Sequence, residues 1–145
     1  MNLKACKTRR SMKFINISSA ILLVIISTSL SAQEQSKIPG GISIAIKAGN
    51  SAELAKYMNS TVELLLLDKE DFYKKNVAEV ILKDFFINYP TKDFVIRHQG
   101  AKNDAQYCIG NLKTERGDFR VYFLLKKVGQ DLLIHQIRIE SENGK

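Results

Sequence analysis

The stretch "GGISIAIKAGNSAELAKYMNSTVELLLL", residues 40–67, decides how the fold begins, because its first half suits either a strand or a helix. A strand would use Ile42, Ile44 and Ile46, which provide only three alternations. A helix would instead place Ile38, Ile42 and Ile46 on one face at positions i, i+4 and i+8. The longer pattern favours the helix.

Residues that start and stop helices support this interpretation. Pro39 suits a first helical turn, and Gly49 suits the position just beyond a helix end. Asn50 and Glu53 have the spacing of a capping box, which predicts that a second helix starts at once. The predicted helices are Pro39 to Ala48 and Ser51 to Met58.

The rest of the chain predicts one or two strands, one longer helix and then four strands. "TVELLLL" is the first strand, and "EDFY" is either its short continuation or a second strand. A second capping box, Asn76 with Glu79, predicts a helix that ends before Pro90. The predicted apolar stripe of that helix consists of Val77, Ala78, Ile81, Leu82, Phe85 and Phe86. The last four strands are "KDFVIRHQ", "AQYCIGNLKT", "DFRVYFLLKK" and "DLLIHQIRIE". Helices followed by an antiparallel meander indicate the α+β class.

The N-terminus has the layout of a secretory signal peptide. A basic start is followed by an apolar run over 14–26 and by the small residues of "STSLSAQ". The run is short for a membrane span, although a retained anchor is the alternative. We expect a signal peptide over 1–32 cleaved after Ala32, or after Ser31, then a tail over 33–37. One domain over 38–145 then acts in the periplasm or outside the cell.

Removal of the leader changes the charge of the protein. The chain carries 22 basic and 15 acidic residues, a net charge of +7. Five of the basic residues lie in the leader, so 17 remain against 15 acidic residues, a net charge of +2. A nucleic-acid partner is therefore not expected, nor is a membrane once the leader is gone. Cys108 becomes the single cysteine, which excludes an intrachain disulfide.

A hairpin at Arg116 and Gly117 predicts the register of the two central meander strands. With Glu115 opposite Asp118, alternate residues divide into two faces of the sheet. The face toward the helices is almost entirely apolar: Phe94, Ile96, Cys108, Gly110, Leu112, Phe119, Val121, Phe123 and Leu125. We expect His98 at its edge. The face away from the helices, the outer sheet face, is mixed: Tyr107, Ile109, Asn111, Lys113, Arg120, Tyr122, Leu124 and Lys126.

The last strand leaves two alternatives. A two-residue loop at Gly129 turns Leu132, Ile134, Gln136 and Arg138 toward the helices and sends Leu133, His135, Ile137 and Ile139 outward. A bulge at that loop reverses the assignment and buries His135 in place of Arg138. Either alternative places a strongly polar side chain in the core, where it needs a partner, a ligand or water.

This order of elements resembles the nuclear transport factor 2-like superfamily, a curved α+β cone. More closely, "IPGGISIAIKAGNSAELAKYM", "VELLL", "ILKDFF", "YCIGNLKT", "FRVYFLLKK" and "IRIE" look like the secreted Bacteroidota family called domain of unknown function 4783. The resemblance covers residues 38–140 and implies N-terminal helices packed in the concave face of a curved, mainly antiparallel sheet. Superfamily relatives include isomerases and dehydratases as well as binding and dimerisation modules, so the fold does not choose a function.

The candidate ligand-binding residues are Arg138, Gln136, His98, Asp84 and Tyr57. Arg138 could hold a small anionic ligand or a peptide terminus in the cone, or it could pair with Glu140, Glu63 or another acid of the domain. His98 or Asp84 could act as a base in an isomerase or dehydratase, which is the alternative function. No acid–base pair is forced to converge, so the sequence identifies no catalytic residue, and we expect no metal or cofactor. The sequence favours a non-catalytic ligand-binding or protein-interaction module.

The outer sheet face also predicts a homodimer. Ile109, Tyr122, Leu124, Ile137 and Ile139 would form a contiguous apolar patch on that face. Monomers seldom expose a large apolar patch to water. Superfamily relatives often dimerise through this side of the sheet, which the resemblance implies for this chain.

Overall fold

The computed structural model describes residues 38–142. The predicted signal peptide and the tail over 33–37 lie outside the described residues. Among the described helices, none has the length and apolar character needed to cross a membrane.

Two short helices open the domain, as predicted. Helix α1 spans Gly40–Lys47 and buries Ile42, Ala45 and Ile46, while Ile44 points to solvent and is 71% exposed. Helix α2 spans Ser51–Ala55, and its Asn50 cap accepts a 3.0 Å hydrogen bond from the backbone N–H of Glu53. The prediction extended α2 to Met58, which was wrong. Met58 instead begins the first strand, where it lies opposite Ile134.

The third helix, α3, spans Lys75–Asn88 and follows a hairpin of β1 (Met58–Leu66) and β2 (Lys69–Lys74). The predicted Asn76 capping box was wrong. Lys74 is still extended and paired with Thr61, so the helix begins at once and Asn76 already lies inside it. Helix α3 buries Ala78, Leu82, Phe85 and Phe86. Val77, predicted within the stripe, is 43% exposed.

Four long strands complete the sheet: β3 (Thr91–Lys102), β4 (Ala105–Thr114), β5 (Gly117–Val128) and β6 (Asp131–Ser141). The six strands lie in the order β2-β1-β6-β5-β4-β3. Strands β1 and β6 are parallel, and every other neighbouring pair is antiparallel. The helices cover one face of this curved sheet, so the predicted α+β cone is confirmed.

The β4–β5 hairpin differs from the predicted register by two residues. Thr114 lies opposite Gly117 and Lys113 opposite Asp118, which leaves Glu115 and Arg116 as the loop. The Thr114 hydroxyl stabilises this turn, donating to the Gly117 carbonyl at 2.7 Å and accepting the Arg116 N–H at 3.1 Å. Because side chains alternate with a period of two, the shift leaves both face assignments unchanged.

Two β-bulges change which side chains of β6 and β3 face the helices. In β6, Ile134 lies opposite Leu125 but Gln136 lies opposite Leu124, so His135 is the extra residue. The strand therefore changes sides in its middle, and Ile134, Ile137 and Ile139 are all buried. Both predicted alternatives for this strand were wrong, because the bulge lies at His135 and not at the Gly129 loop. Arg138 therefore lies on the outer sheet face, and His135 lies half-buried at the bulge itself.

The second bulge lies in β3. Ile96 pairs with Gly110 and His98 pairs with Ile109, which leaves Arg97 as the extra residue. Phe94 stays on the helix-facing side and is buried, as predicted. His98 is carried to the outer sheet face, so its predicted position at the edge of the helix-facing side was wrong.

Candidate functional site

The interior of the cone is a packed apolar core. Phe123, Leu125, Leu112 and Val121 from the sheet are buried against Leu82 and Phe85 of α3 within one cluster. The buried polar residues within 38–142 are Ser51, Gln106 and Thr114, none of which is an acid or a base. No group of three or more His, Cys, Asp or Glu among the described residues could hold a metal. The described interior thus provides no acid–base pair.

Cys108 lies in this core. It is fully buried on β4, and burial raises the pKa of its thiol to about 11. A thiol is nucleophilic mainly as the thiolate, so this environment suits a packing residue and not a nucleophile.

The candidate ligand-binding residues do not meet at one point. Arg138 and Gln136 lie on the outer sheet face, opposite Tyr122 and Leu124. The Arg138 guanidinium is 3.8 Å from the Glu70 carboxylate. The predicted anion site inside the cone is therefore not formed by Arg138.

His98 also lies on the outer sheet face. Its Nε2 atom is 3.2 Å from the Tyr107 hydroxyl, and the two rings are 5.8 Å apart. Tyr107 covers the backbone at Gly100, where an added Cβ would overlap the phenol ring. The imidazole thus lies beside Tyr107 on the surface of the sheet and does not face an enclosed cavity.

Asp84 and Tyr57 lie on the helical side of the molecule. Asp84 is exposed on α3, next to a cleft between that helix and the β1–β2 turn. The half-buried Tyr57 packs against the core, with its hydroxyl over Gly41 so closely that a Cβ at residue 41 would overlap it. This contact explains a glycine near the start of α1 and gives Tyr57 a packing role.

The strand registers define the outer sheet face as two complete rows across all six strands. The first row is Phe72, Glu63, Gln136, Leu124, Tyr107 and Gly100. The second row is Glu70, Leu65, Arg138, Tyr122, Ile109 and His98. Each row combines large apolar or aromatic side chains with charged ones. Three of the five candidate residues, Arg138, Gln136 and His98, belong to these rows. They therefore lie on the outer sheet face and not inside the cone.

Sequence reasoning placed no residue of β1 or β2 on the outer sheet face, and Phe72 is the aromatic side chain missed there. It is 68% exposed on the edge strand β2, directly opposite Glu63. The alternation of "KEDFY" already places Phe72 and Tyr73 on opposite faces, and that signal could have identified it. The predicted members Ile137 and Ile139 were wrong, because the bulge buries both.

Comparison with known proteins agrees with this architecture. The family model described as Domain of unknown function (DUF4783) matches residues 40–140. A solved DUF4783 family protein from Bacteroides ovatus is 40% identical, with a TM-score of 0.71, and the match covers 73% of this chain and 96% of that one. The chain belongs to the DUF4783 family.

The fold of this DUF4783 protein extends beyond its family. The structure Rd1NTF2_04 with long sheet is 14% identical, with a TM-score of 0.58 over 69% of this chain and 94% of that chain. A Xanthomonas campestris protein described as a calcium/calmodulin dependent protein kinase II association domain is 16% identical. Its TM-score is 0.52 over 70% of this chain and 80% of its own. At these identities the likeness shows the nuclear transport factor 2-like fold alone. No curated protein matched the chain.

Proposed function

We propose that this DUF4783 domain is a non-catalytic association module, in which two copies pack through their outer sheet faces. The observation that carries the proposal is the contrast between the two sides of the sheet. One side is filled by its own helices, while the other carries half-exposed apolar side chains with no element of the described chain over them. An acid–base function has no comparable support, because His98 and Asp84 lie on opposite sides of the sheet.

The centre of the outer sheet face has the composition of an interface core. Tyr122, Leu124 and Ile109 are half-buried there, and Tyr107 stacks on Tyr122 with ring centroids 6.5 Å apart. Aromatic residues are enriched at the centres of interfaces, among the residues that contribute most of the binding free energy. Their side chains have few rotatable bonds, so little entropy is lost on binding. Phe72, exposed at the sheet edge, adds a large side chain that a partner could cover.

The charges on this face favour a second copy of the same chain. Arg120 on β5 lies opposite Glu140 on β6, and Glu63 on β1 lies in the same row as Tyr107 on β4. A two-fold axis parallel to the strands would set β1 of one copy over β4 of the other. Because such an axis keeps each row opposite itself, Arg120 of one copy would face Glu140 of the other, and Glu63 would face the Tyr107 hydroxyl. The surface is therefore complementary to itself.

The size of the face also suits a dimer. Six strands about 4.8 Å apart span about 24 Å, and a length of about 30 Å along the strands gives about 700 Å² of projected area. Stable interfaces bury about 800 Å² per partner. The strands β3 and β5 are long enough for this, with 12 residues each.

The structural neighbours provide an independent reason to consider association. The Xanthomonas campestris protein with this fold is described as an association domain. We extend that role to the present chain because its own outer sheet face has the composition and charge pattern of an interface.

Sedimentation velocity at micromolar concentration tests the proposal. We expect a dimer for the unchanged protein and a folded monomer for Leu124→Glu, because the new carboxylate would be buried without a partner at the centre of the interface. The matched control is Ile44→Glu, which places the same charge at an exposed isoleucine on the helical side. Circular dichroism should show both variants folded. A monomeric unchanged protein, or a dimer that tolerates Leu124→Glu, would refute the proposal.

A further inference from the structure

A cleft of about 410 Å³ lies on the helical side of the molecule, between the β1–β2 turn and the C-terminal half of α3. Its lining residues are Leu66, Leu67, Asp68, Lys69, Ile81, Asp84, Phe85, Asn88 and Tyr89. Sites for small ligands have volumes of about 300 to 1,000 Å³ and combine apolar walls with a few polar groups. This cleft has both properties, and it is separate from the outer sheet face.

The floor of the cleft is held in place by aromatic contacts. Phe85 stacks on Tyr89 with centroids 4.9 Å apart, and both rings contact Phe119 edge to face at 5.2 and 4.9 Å. Phe85 is buried, whereas Tyr89 keeps part of its ring accessible at the cleft. The apolar surface is therefore already formed before any ligand arrives, which lowers the entropic cost of binding.

The turn that closes one side of the cleft contains a strained residue. Leu67 has a φ of +57°, a conformation that glycine adopts readily and leucine avoids. Its backbone N–H donates to the Ile139 carbonyl at 2.8 Å, which holds the turn against the end of β6. Leu66 pairs with Lys69, so Leu67 and Asp68 form a two-residue hairpin loop, and such loops require a positive φ. Here the leucine side chain forms part of the cleft wall.

The rim of the cleft is rich in acceptors. Asp84 and Asp68 contribute carboxylates, and neither forms an ion pair with another residue in the described part of the chain. Asn88 donates its amide N–H to the Asp84 carbonyl at 2.9 Å, which leaves its own side-chain oxygen available. Lys69 is the one basic residue that lines the cleft. The rim therefore carries two carboxylates against one ammonium group.

We propose that this cleft binds a small amphipathic amine. The ammonium group would bind the Asp84 carboxylate, and the apolar part would lie on Ile81, Phe85 and Tyr89. An ammonium group also interacts favourably with the face of a tyrosine ring. A carboxylate ligand is disfavoured, because it would meet the two aspartates at the rim.

Three probes of similar size separate the effect of charge from that of apolar contact: 2-phenylethylamine, 2-phenylethanol and phenylacetate. Each is titrated into labelled protein while amide shifts are followed by NMR. We expect the amine to shift residues of the β1–β2 turn and of α3, and to bind about tenfold more tightly than the alcohol, with phenylacetate weakest. Binding of phenylacetate as tight as that of the amine, or no shift near the cleft with any probe, would overturn the proposal.

Two substitutions of opposite sign sharpen the test. Asp84→Asn should weaken binding of the amine about tenfold and leave binding of the alcohol unchanged. Lys69→Gln should make binding of the amine tighter. Glu79→Gln is the control, since it removes a carboxylate from the same helix outside the cleft. Equal losses for the amine and the alcohol in Asp84→Asn would instead indicate a structural effect and refute the charge contact. Dimerisation is measured separately, so failure of either proposal leaves the other testable.

Discussion

His135 shows how one residue can couple the fold to pH. It is the extra residue of the β6 bulge, and its Nε2 atom is buried without a hydrogen-bond partner among the described residues. Burial, followed by the positive charge of Lys126, lowers the pKa of the imidazole. In the unfolded chain the pKa of histidine is about 6.5. His135 therefore binds a proton less readily in the folded state than in the unfolded state.

His135 lowers the stability of the folded state only at acidic pH. Above about pH 6.5 both states are neutral at His135, and the residue adds no pH dependence. As pH falls below that value, the unfolded state is protonated first, so stability falls until the folded pKa is reached. Between about pH 7.5 and about pH 5.5, the melting temperature should fall less for His135→Gln than for the unchanged protein. A loss in His135→Gln as large as that in the unchanged protein would contradict this account.

Cys108 yields a second prediction at the scale of a residue. With its thiol pKa raised to about 11 by burial, only a minute fraction is thiolate at pH 8. The native protein should resist iodoacetamide at Cys108, while the denatured chain, with a cysteine pKa of about 8.5, should react readily. Mass spectrometry of the peptide that contains Cys108 provides the measurement. Rapid labelling in the native state would show that the site opens.

At the scale of an element, β5 separates core from surface most clearly. Phe123 is 1% exposed and lies on the helix-facing side, whereas Lys113, on the neighbouring strand, points to solvent. Phe123→Ala should lower the free energy of unfolding by about 3 to 5 kcal/mol, because it leaves a cavity in a packed core. Lys113→Ala should change it by no more than about 0.5 kcal/mol. Denaturant titration of both variants is the test, and similar small losses would mean that the faces are misassigned.

The strands also show where sequence reasoning succeeds and where it fails. The faces of β4 and β5 follow from alternation alone, and even a two-residue error in register left them correct. Strand β6 differs, because a bulge inserts one residue and reverses every side chain beyond it. "LLIHQIRIE" alternates in two ways that conflict, and only packing against Leu125 and Phe123 shows that the change of side falls at His135.

The predicted start of the third helix was wrong for a related reason. A capping pattern at Asn76 is a local signal, but strand pairing holds the chain extended to Lys74 and starts α3 at once. The candidate site failed more completely, since Arg138 and His98 were assigned to the cone and two bulges carry both to the outer sheet face. A bulge depends on contacts between distant strands, which the spacing of residues along one strand does not report.

At the scale of the whole molecule, export of the domain is a proposal that rests on the N-terminal sequence. A basic start, an apolar run and small residues before Gln33 have the layout of a signal peptide. Mass spectrometry of the protein from its native host should find an N-terminus at Gln33, or at Ala32 if cleavage follows Ser31. A membrane-bound form that retains Met1 would indicate an anchor.

The central claim is that the outer sheet face associates with a second copy. It is tested most directly by isotope-filtered NMR on a mixture of labelled and unlabelled chains, which reports contacts between copies alone. We predict contacts from the methyl groups of Leu124 and Ile109 to the aromatic protons of Tyr122 and Phe72 in the other copy. Contacts between copies that arise instead from Val80 and Ile87 on the exposed side of α3, or no contacts at all, would contradict the claim.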